Sequence, residues 1–416
     1  MRPVKKALAV GALLVGVLVG CEPAPLTRSP TCSTAQDTST TASNTTLTER
    51  FHAYFDSNVR TDDATGADGP HALALPDGRR LWGFGDTFLG TVDGIHGRAI
   101  DTRLVVGNTY IEESTGGTFV RPLTGGTASA PTAFLRPSTP GHWYWPGDAV
   151  VEGSKLRVLV NEWSHGPSGT TFDWVFHGTG IVSLSLPGLT VDTKSPHQVS
   201  LRAGMTWTGL LEDGSTTYIY GHKDKELYVA RRPRGLLLGP WEYRGPNGTW
   251  STDPAVATPV LPGGGVDTAK VVRSGSCFLL ITFQPGFFFN TADVRVYYGD
   301  RPDGPWGAAQ PLHTIPEGAL TSGVIWYGAN PQAALSSGSN VGWTYSVNAF
   351  ANQNYTDVHL YRPRYMTSTI SSVPGSGTTT TSTTSTTGTS TTTTSTTEPS
   401  TTTTSTTDTS TPAAPP

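Results

Sequence analysis

The chain has 416 residues and a net charge of −4; 14% of its residues are charged and 36% hydrophobic. That balance gives no basis for binding nucleic acid or an anionic membrane surface. Three cysteines exclude a disulfide-dense scaffold and a four-cysteine zinc site, while 48 Gly, 11 Trp, 14 Tyr and 14 Phe favour loops and aromatic-rich sheet over helix bundles.

Residues 1–20 read as an export signal: Arg2, Lys5 and Lys6 precede an apolar stretch, Ala7–Gly20, that is too short to span a bilayer. The stretch ends in Leu18-Val19-Gly20-Cys21, the pattern of a bacterial lipobox, in which small residues precede a cysteine whose thiol accepts a diacylglyceryl group. Lipidation at Cys21 is therefore expected. It places the protein outside the cytoplasm, held to the membrane only by this N-terminal anchor. Residues 21–46 are Ser/Thr-rich with few apolar side chains and read as a tether outside the fold. The folded domain is expected over 47–370, and 371–416 reads as a disordered Thr/Ser-rich tail. Outside the cytoplasm Cys32 and Cys277 either pair, pinning the tether to the domain, or stay as two thiols.

The domain repeats internally. Gly153-Ser154, Gly214-Ser215, Gly275-Ser276 and Gly338-Ser339 recur at nearly equal intervals, and each precedes an apolar or alternating run. An earlier copy, Asp77-Gly78, precedes the first of these by a somewhat longer interval. Gly239-Pro240-Trp241 and Gly304-Pro305-Trp306 recur in phase, and their tryptophans are expected to pack between units. Each unit reads as strand, tight turn, strand, loop, strand and a last strand. Five such units predict an all-β fold, a five-bladed β-propeller of four-stranded antiparallel blades.

Antiparallel pairing puts the start of each first strand and the end of each second strand at the same end of the blade. The starts are Asp68, Asp148, Trp207, Asp267 and Asn330; the ends are Asp86, Asn161 with Glu162, His222, Gln284 and Asn348. Trp145 and Tyr327 lie beside them. Carboxylates and amides next to aromatic faces suit a sugar ring, which needs hydrogen bonds for its hydroxyls and stacking for its C–H face. Asp86 carries the most weight, because it ends an apolar strand among aromatics, where an unpartnered carboxylate is costly. Asp148 and Asp267 read equally well as turn residues. The sequence has no H-E-x-x-H, G-x-S-x-G or Walker motif, and clustered carboxylates point to glycoside hydrolysis. That chemistry requires no cofactor, although converging carboxylates would suit a structural cation in the central channel.

Several segments carry a resemblance: GADG at 66–69, LPDGRRLWGFGDTFLG at 75–90, HWYWPGDAVVEGSKLRVLVNEW at 142–163 and DVHLYRPRY at 357–365. Together they resemble an exported actinobacterial family, domain of unknown function 4185, linked to glycoside hydrolase family 183, the endo-D-arabinanases. The resemblance implies a five-bladed propeller that cuts D-arabinan of arabinogalactan and lipoarabinomannan. It also implies an essential pair matching Asp68 and Asp86. The expected protein is thus a monomeric wall-polysaccharide hydrolase. Asp68 and Asp86 are its catalytic pair, and Asp148, Trp145, Trp207, Asn161, His222, Asp267, Tyr327, Asn330 and Asn348 line its subsites. The alternative is a non-catalytic propeller that binds wall glycan.

Overall fold

Five tight turns organise the chain, and each carries a glycine in the left-handed region: Gly78, Gly153, Gly214, Gly275 and Gly338, with φ between 57° and 86°. An L side chain is strained there, which explains why glycine recurs at these turns. The structure is a computed structural model that describes Cys32 and residues 39–370, apart from 58–59, 94–96, 100–101, 169, 171, 193–195, 199–203, 284–290, 320–322 and 350–352. The expected export signal, Cys21, most of the expected tether, Gln284 and the expected tail at 371–416 lie outside the described residues.

Each glycine turn joins the first two strands of an antiparallel sheet. The first sheet contains His71–Ala74, Arg80–Phe84, Thr109–Glu113 and Phe119–Leu123. The second contains His142–Glu152, Lys155–His165 and Trp174–Ser185, edged by Thr190–Val191 and His197–Gln198. The third runs through Thr206–Asp213, Thr216–Lys223, Glu226–Pro233, Glu242–Arg244 and Trp250–Ser251. The fourth contains Val271–Ser274, Cys277–Phe283, Asp293–Gly299 and Gln310–Thr314. The fifth contains Val324–Pro331, Asn340–Ala349 and Arg364–Thr369, completed by the N-terminal strand Thr40–Ser43. The molecule is thus all-β in its framework, as the periodicity predicts.

Two departures matter. The fold begins before residue 47: Thr40 pairs with Thr369 and Ser43 with Met366, and Cys32 forms a disulfide with Cys277. Backbone pairing and the covalent link, rather than apolar side chains, hold this part of the expected tether. The first sheet is also interrupted between its second and third strands. There the chain adds Thr87–Leu89 and Arg103–Val105, which pair with Ala64–Ala67 from ahead of the first strand in a three-stranded sheet. This insertion accounts for the long first interval.

Apolar clusters fill the spaces between successive sheets. Leu81 and Tyr110 meet Val158 and Leu184; Val150 and Ile181 meet Ile219 and Trp241. Tyr220 and Val229 meet Leu280 and Tyr297, and Ile281 and Val296 meet Trp343 and Val347. The fifth sheet reaches the first through the helix Thr45–Asp56, whose Leu47, Phe51 and Phe55 are buried. Phe51 stacks on Tyr365 at 4.8 Å and meets Trp82 edge-on at 4.9 Å. Trp241 packs between the second and third sheets and Trp306 against the third and fourth.

A buried polar network joins the first strands. Lys270 Nζ lies 2.7 Å from Asp148 Oδ1 and donates to Gln332 Oε1 at 3.2 Å. Leu210 N donates to Asp148 Oδ2 at 3.1 Å, and His71 Nδ1 lies 3.6 Å from Asp148 Oδ1. Gln332 in turn accepts from Ala72 N and donates to Pro70 O. All five sheets therefore contribute. Burial pushes the Asp148 carboxyl up, but the Lys270 ammonium and His71 outweigh it and hold it below its ordinary range.

Removing one member of such a pair strands the other charge. Lys270→Met should cost about 3–5 kcal/mol in urea unfolding. Adding Asp148→Asn should recover part of that loss.

Candidate active site

Asp68 follows the strand Ala64–Ala67, and Asp86 stands between Arg80–Phe84 and Thr87–Leu89. Their backbones are directly paired: Asp68 N donates to Asp86 O at 3.2 Å, and Gly85 N donates to Asp68 O at 2.8 Å. This pairing brings two carboxylates that are separated in sequence onto neighbouring backbones. A Cβ at position 85 would sit 2.4 Å from Asp68 Oδ1, so the glycine there leaves room for that carboxylate in its observed place.

Both side chains are half-buried at the base of an open cleft of about 740 Å³. The second sheet builds one wall. Its first two strands are 11 residues long, against eight in the third sheet, and the overhang carries Trp143, Trp145 and His165. Trp174, from the neighbouring strand, meets Trp145 edge-on at 4.8 Å. Tyr327, Asn348 and Tyr361 form the opposite wall. Leu104, Val106 and Phe172 line the cleft with large, well-exposed apolar surfaces.

The two carboxylates have different partners. Asp86 Oδ1 accepts from Gly107 N and from Trp145 Nε1, both at 2.9 Å. Asp68 Oδ2 accepts from Tyr327 OH at 2.6 Å and Tyr361 OH at 3.1 Å. An N–H can only donate, whereas a hydroxyl can also accept. The Asp86 environment therefore favours its charged form, and that of Asp68 tolerates a proton. Burial, and then the nearby charge of Asp86, push Asp68 up to about 7 despite its tyrosine hydrogen bonds. Burial also raises Asp86, with the Trp145 and Gly107 N–H groups opposing the rise.

Of the expected site residues, Asp68, Asp86, Trp145, Tyr327 and Asn348 share this cleft. The others do not line it. Asp148 is neutralised by Lys270 within the buried network. Trp207 is fully buried, edge-on to Trp241, and its ring lies over Gly221 where a Cβ would clash. Asn161 is buried and donates to Trp207 O while accepting from Thr179 Oγ1. Asp267 is buried, accepting from the Thr282 and Thr268 hydroxyls and from Gly328 N. Asn330 is buried within the fifth sheet's first strand. His222 contacts Thr206, and burial lowers it to about 4, so it is neutral. Register shifts in three of the first strands, between Pro146 and Ala149, Trp207 and Gly209, and Tyr327 and Asn330, break the regular alternation on which the rim assignment relies.

Other lining residues escape the sequence reading, among them four with polar or aromatic side chains on the two walls. Tyr361 lies in the quoted 357–365 segment, and Trp143 and His165 flank the second sheet's expected residues. Trp174 follows a loop and carries no repeat signal. Among the described residues, no group of three or more His, Cys, Asp or Glu is arranged to hold a metal ion.

The chain belongs to the family described as a domain of unknown function, DUF5005, whose model matches residues 48–369. No curated protein matches the sequence. Among solved structures it is similar to one from Bacteroides ovatus ATCC 8483 provisionally described as a hydrolase. That match has 18% identity and a TM-score of 0.63, and covers 79% of this chain and 90% of that one. Weaker likenesses include an exo-β-1,3-galactanase of Phanerochaete chrysosporium, at 11% identity and TM-score 0.44, covering 74% of this chain and 63% of that one. Another is a GH43 endo-arabinanase of Bacillus licheniformis, at 13% identity and TM-score 0.39, covering 74% and 96%. The first likeness is one of fold, and the other two are too distant to carry an argument.

The raised Asp68 carboxyl has a stability signature. Its ordinary value is 3.8, so between about pH 4 and 7 the unfolded chain loses a proton that the native state keeps. Stability from this group is complete below pH 4 and is lost as pH rises through 7. Asp68→Asn mimics the protonated form. It should raise Tm at pH 8, with the gain fading toward pH 4 in calorimetric scans.

Proposed function

We propose that the protein is a glycoside hydrolase in which Asp68 is the general acid and Asp86 the partner carboxylate. The observation that carries this reading is the unequal pair. Two adjoining carboxylates share one open, aromatic-walled cleft, one with N–H donors that favour charge and the other pushed up to about 7. Environments that separate two acids in this way are what general acid catalysis requires. Protonated Asp68 gives its proton to the leaving glycosidic oxygen as the C–O bond breaks. Ionised Asp86 either attacks the anomeric carbon or takes a proton from the water that does. The leaving sugar departs with a free hydroxyl; where Asp86 attacks, water then hydrolyses the glycosyl–Asp86 ester and gives a proton back to Asp68, and where water attacks directly its oxygen ends on the anomeric carbon of the other product.

The substrate we propose is D-arabinan of a cell-wall polysaccharide, cut internally. The motif resemblance and the open cleft support it, since a trough accepts a chain that continues on both sides. We further read the five sheets as blades of one propeller. Apolar clusters lie between all successive sheets, including the fifth and first, and the first strands share one polar network. Export and lipidation at Cys21 complete the proposal and rest on the lipobox pattern.

Asp86→Asn should lower turnover on D-arabinan by about 10²–10⁴-fold while polymer binding changes little. Asp68→Asn should lose as much on the polymer but far less on an aryl arabinofuranoside, whose phenolate leaves without a proton. Wild-type kcat/KM should fall as pH rises through about 7, where Asp68 loses its proton. Wild-type turnover in both variants would contradict the pair, and rescue of Asp86→Asn instead by the aryl substrate would reverse the roles.

A further inference from the structure

We infer that the anchored protein stands with its hairpin-turn end toward the membrane and its cleft facing away. This rests on the proposed lipid anchor at Cys21. The turns gather at one end: Arg273 Nη1 donates to Asp213 Oδ1 at 2.8 Å, and Ser274 Oγ donates to Gly338 O at 3.2 Å. Cys277 directly follows the Gly275 turn, so the disulfide fixes Cys32 at this end. The strand Thr40–Ser43 also starts here, since Thr40 pairs with Thr369 and Thr369 with Asn340 beside the Gly338 turn. Ile370 N donates to Ser339 O at 2.9 Å, so the last described residue reaches the same end. Asp68 and Asp86 lie at the other end, where the first strand of the first sheet begins and its second strand finishes.

The leash from Cys21 to Cys32 is short, with a fully extended contour of at most about 40 Å. An eight-residue strand such as Thr206–Asp213 spans about 26 Å along the sheet. Bringing the cleft to the bilayer would therefore use most of the leash simply to pass the domain. Seated turn-end down, none of that contour is needed to pass the domain. The cleft then meets a polymer layer beyond the anchor rather than sugar carried on membrane lipid, which narrows the substrate class of the proposed hydrolase.

The test uses the full lipidated chain in phosphatidylcholine vesicles containing a headgroup-linked acceptor dye. A donor dye is attached through a non-natural amino acid at Ser215, on the Gly214 turn, or at Ser168, near the cleft. Transfer from position 215 should clearly exceed that from 168. Equal or reversed transfer from vesicle-bound protein would overturn the orientation. Protein that stays in the supernatant would overturn the anchor, and the orientation with it, leaving the hydrolase reading to its own assays.

Discussion

A lysine ammonium buried against one carboxylate ties the five sheets together. Lys270 comes from the fourth sheet, Asp148 from the second, the amide of Leu210 from the third, Gln332 from the fifth, and His71 from the first. Such a pair is costly to desolvate and adds little net stability against apolar packing. Its effect is to fix the arrangement, because each member left alone would be a buried, unmatched polar group. The candidate site depends on the same network. Gln332 holds Pro70 O and Ala72 N, and Ser346 Oγ accepts from Gly69 N. The turn that follows Asp68 is therefore clamped from the fifth sheet, and its partner Asp86 is fixed by backbone pairing and two N–H donors.

The site occupies the one unit that breaks the repeat. The later units keep a nearly constant spacing, and the first inserts two strands of a small sheet after its second strand. That insertion supplies Leu104, Val106 and the Gly107 N–H that holds Asp86. The second sheet meets it with lengthened strands and a tryptophan wall. Repetition supplies the rigid framework, and departure from it supplies an open trough with two carboxylates in unlike surroundings.

How much of this is legible in the sequence follows from how local each feature is. Turn glycines act through their own φ, so the five units and the pairing of first and second strands can be read directly. Asp68 and Asp86 are found because strand pairing within one unit brings them together. Asp148 looks equivalent to Asp68 by position. What separates them is Lys270, far along the chain and in another sheet. Trp145 and Trp207 also look alike, but the bare backbone of Gly221 makes room for the Trp207 ring in the core. The early start of the fold is missed for a related reason. Thr40–Ser43 is held by backbone pairing to the far end of the chain, which composition does not register, although Leu47, Phe51 and Phe55 at intervals of four do announce the helix behind it.

The central claim is that this carboxylate pair cuts a wall glycan. The most direct measurement is chromatography of purified D-arabinan incubated with the full chain. Progressive conversion of polymer to a ladder of oligosaccharides, with new reducing ends rising in step, is the predicted result. Intact polymer that stays bound to the protein with no new reducing ends would contradict the account and make the protein a glycan-binding module.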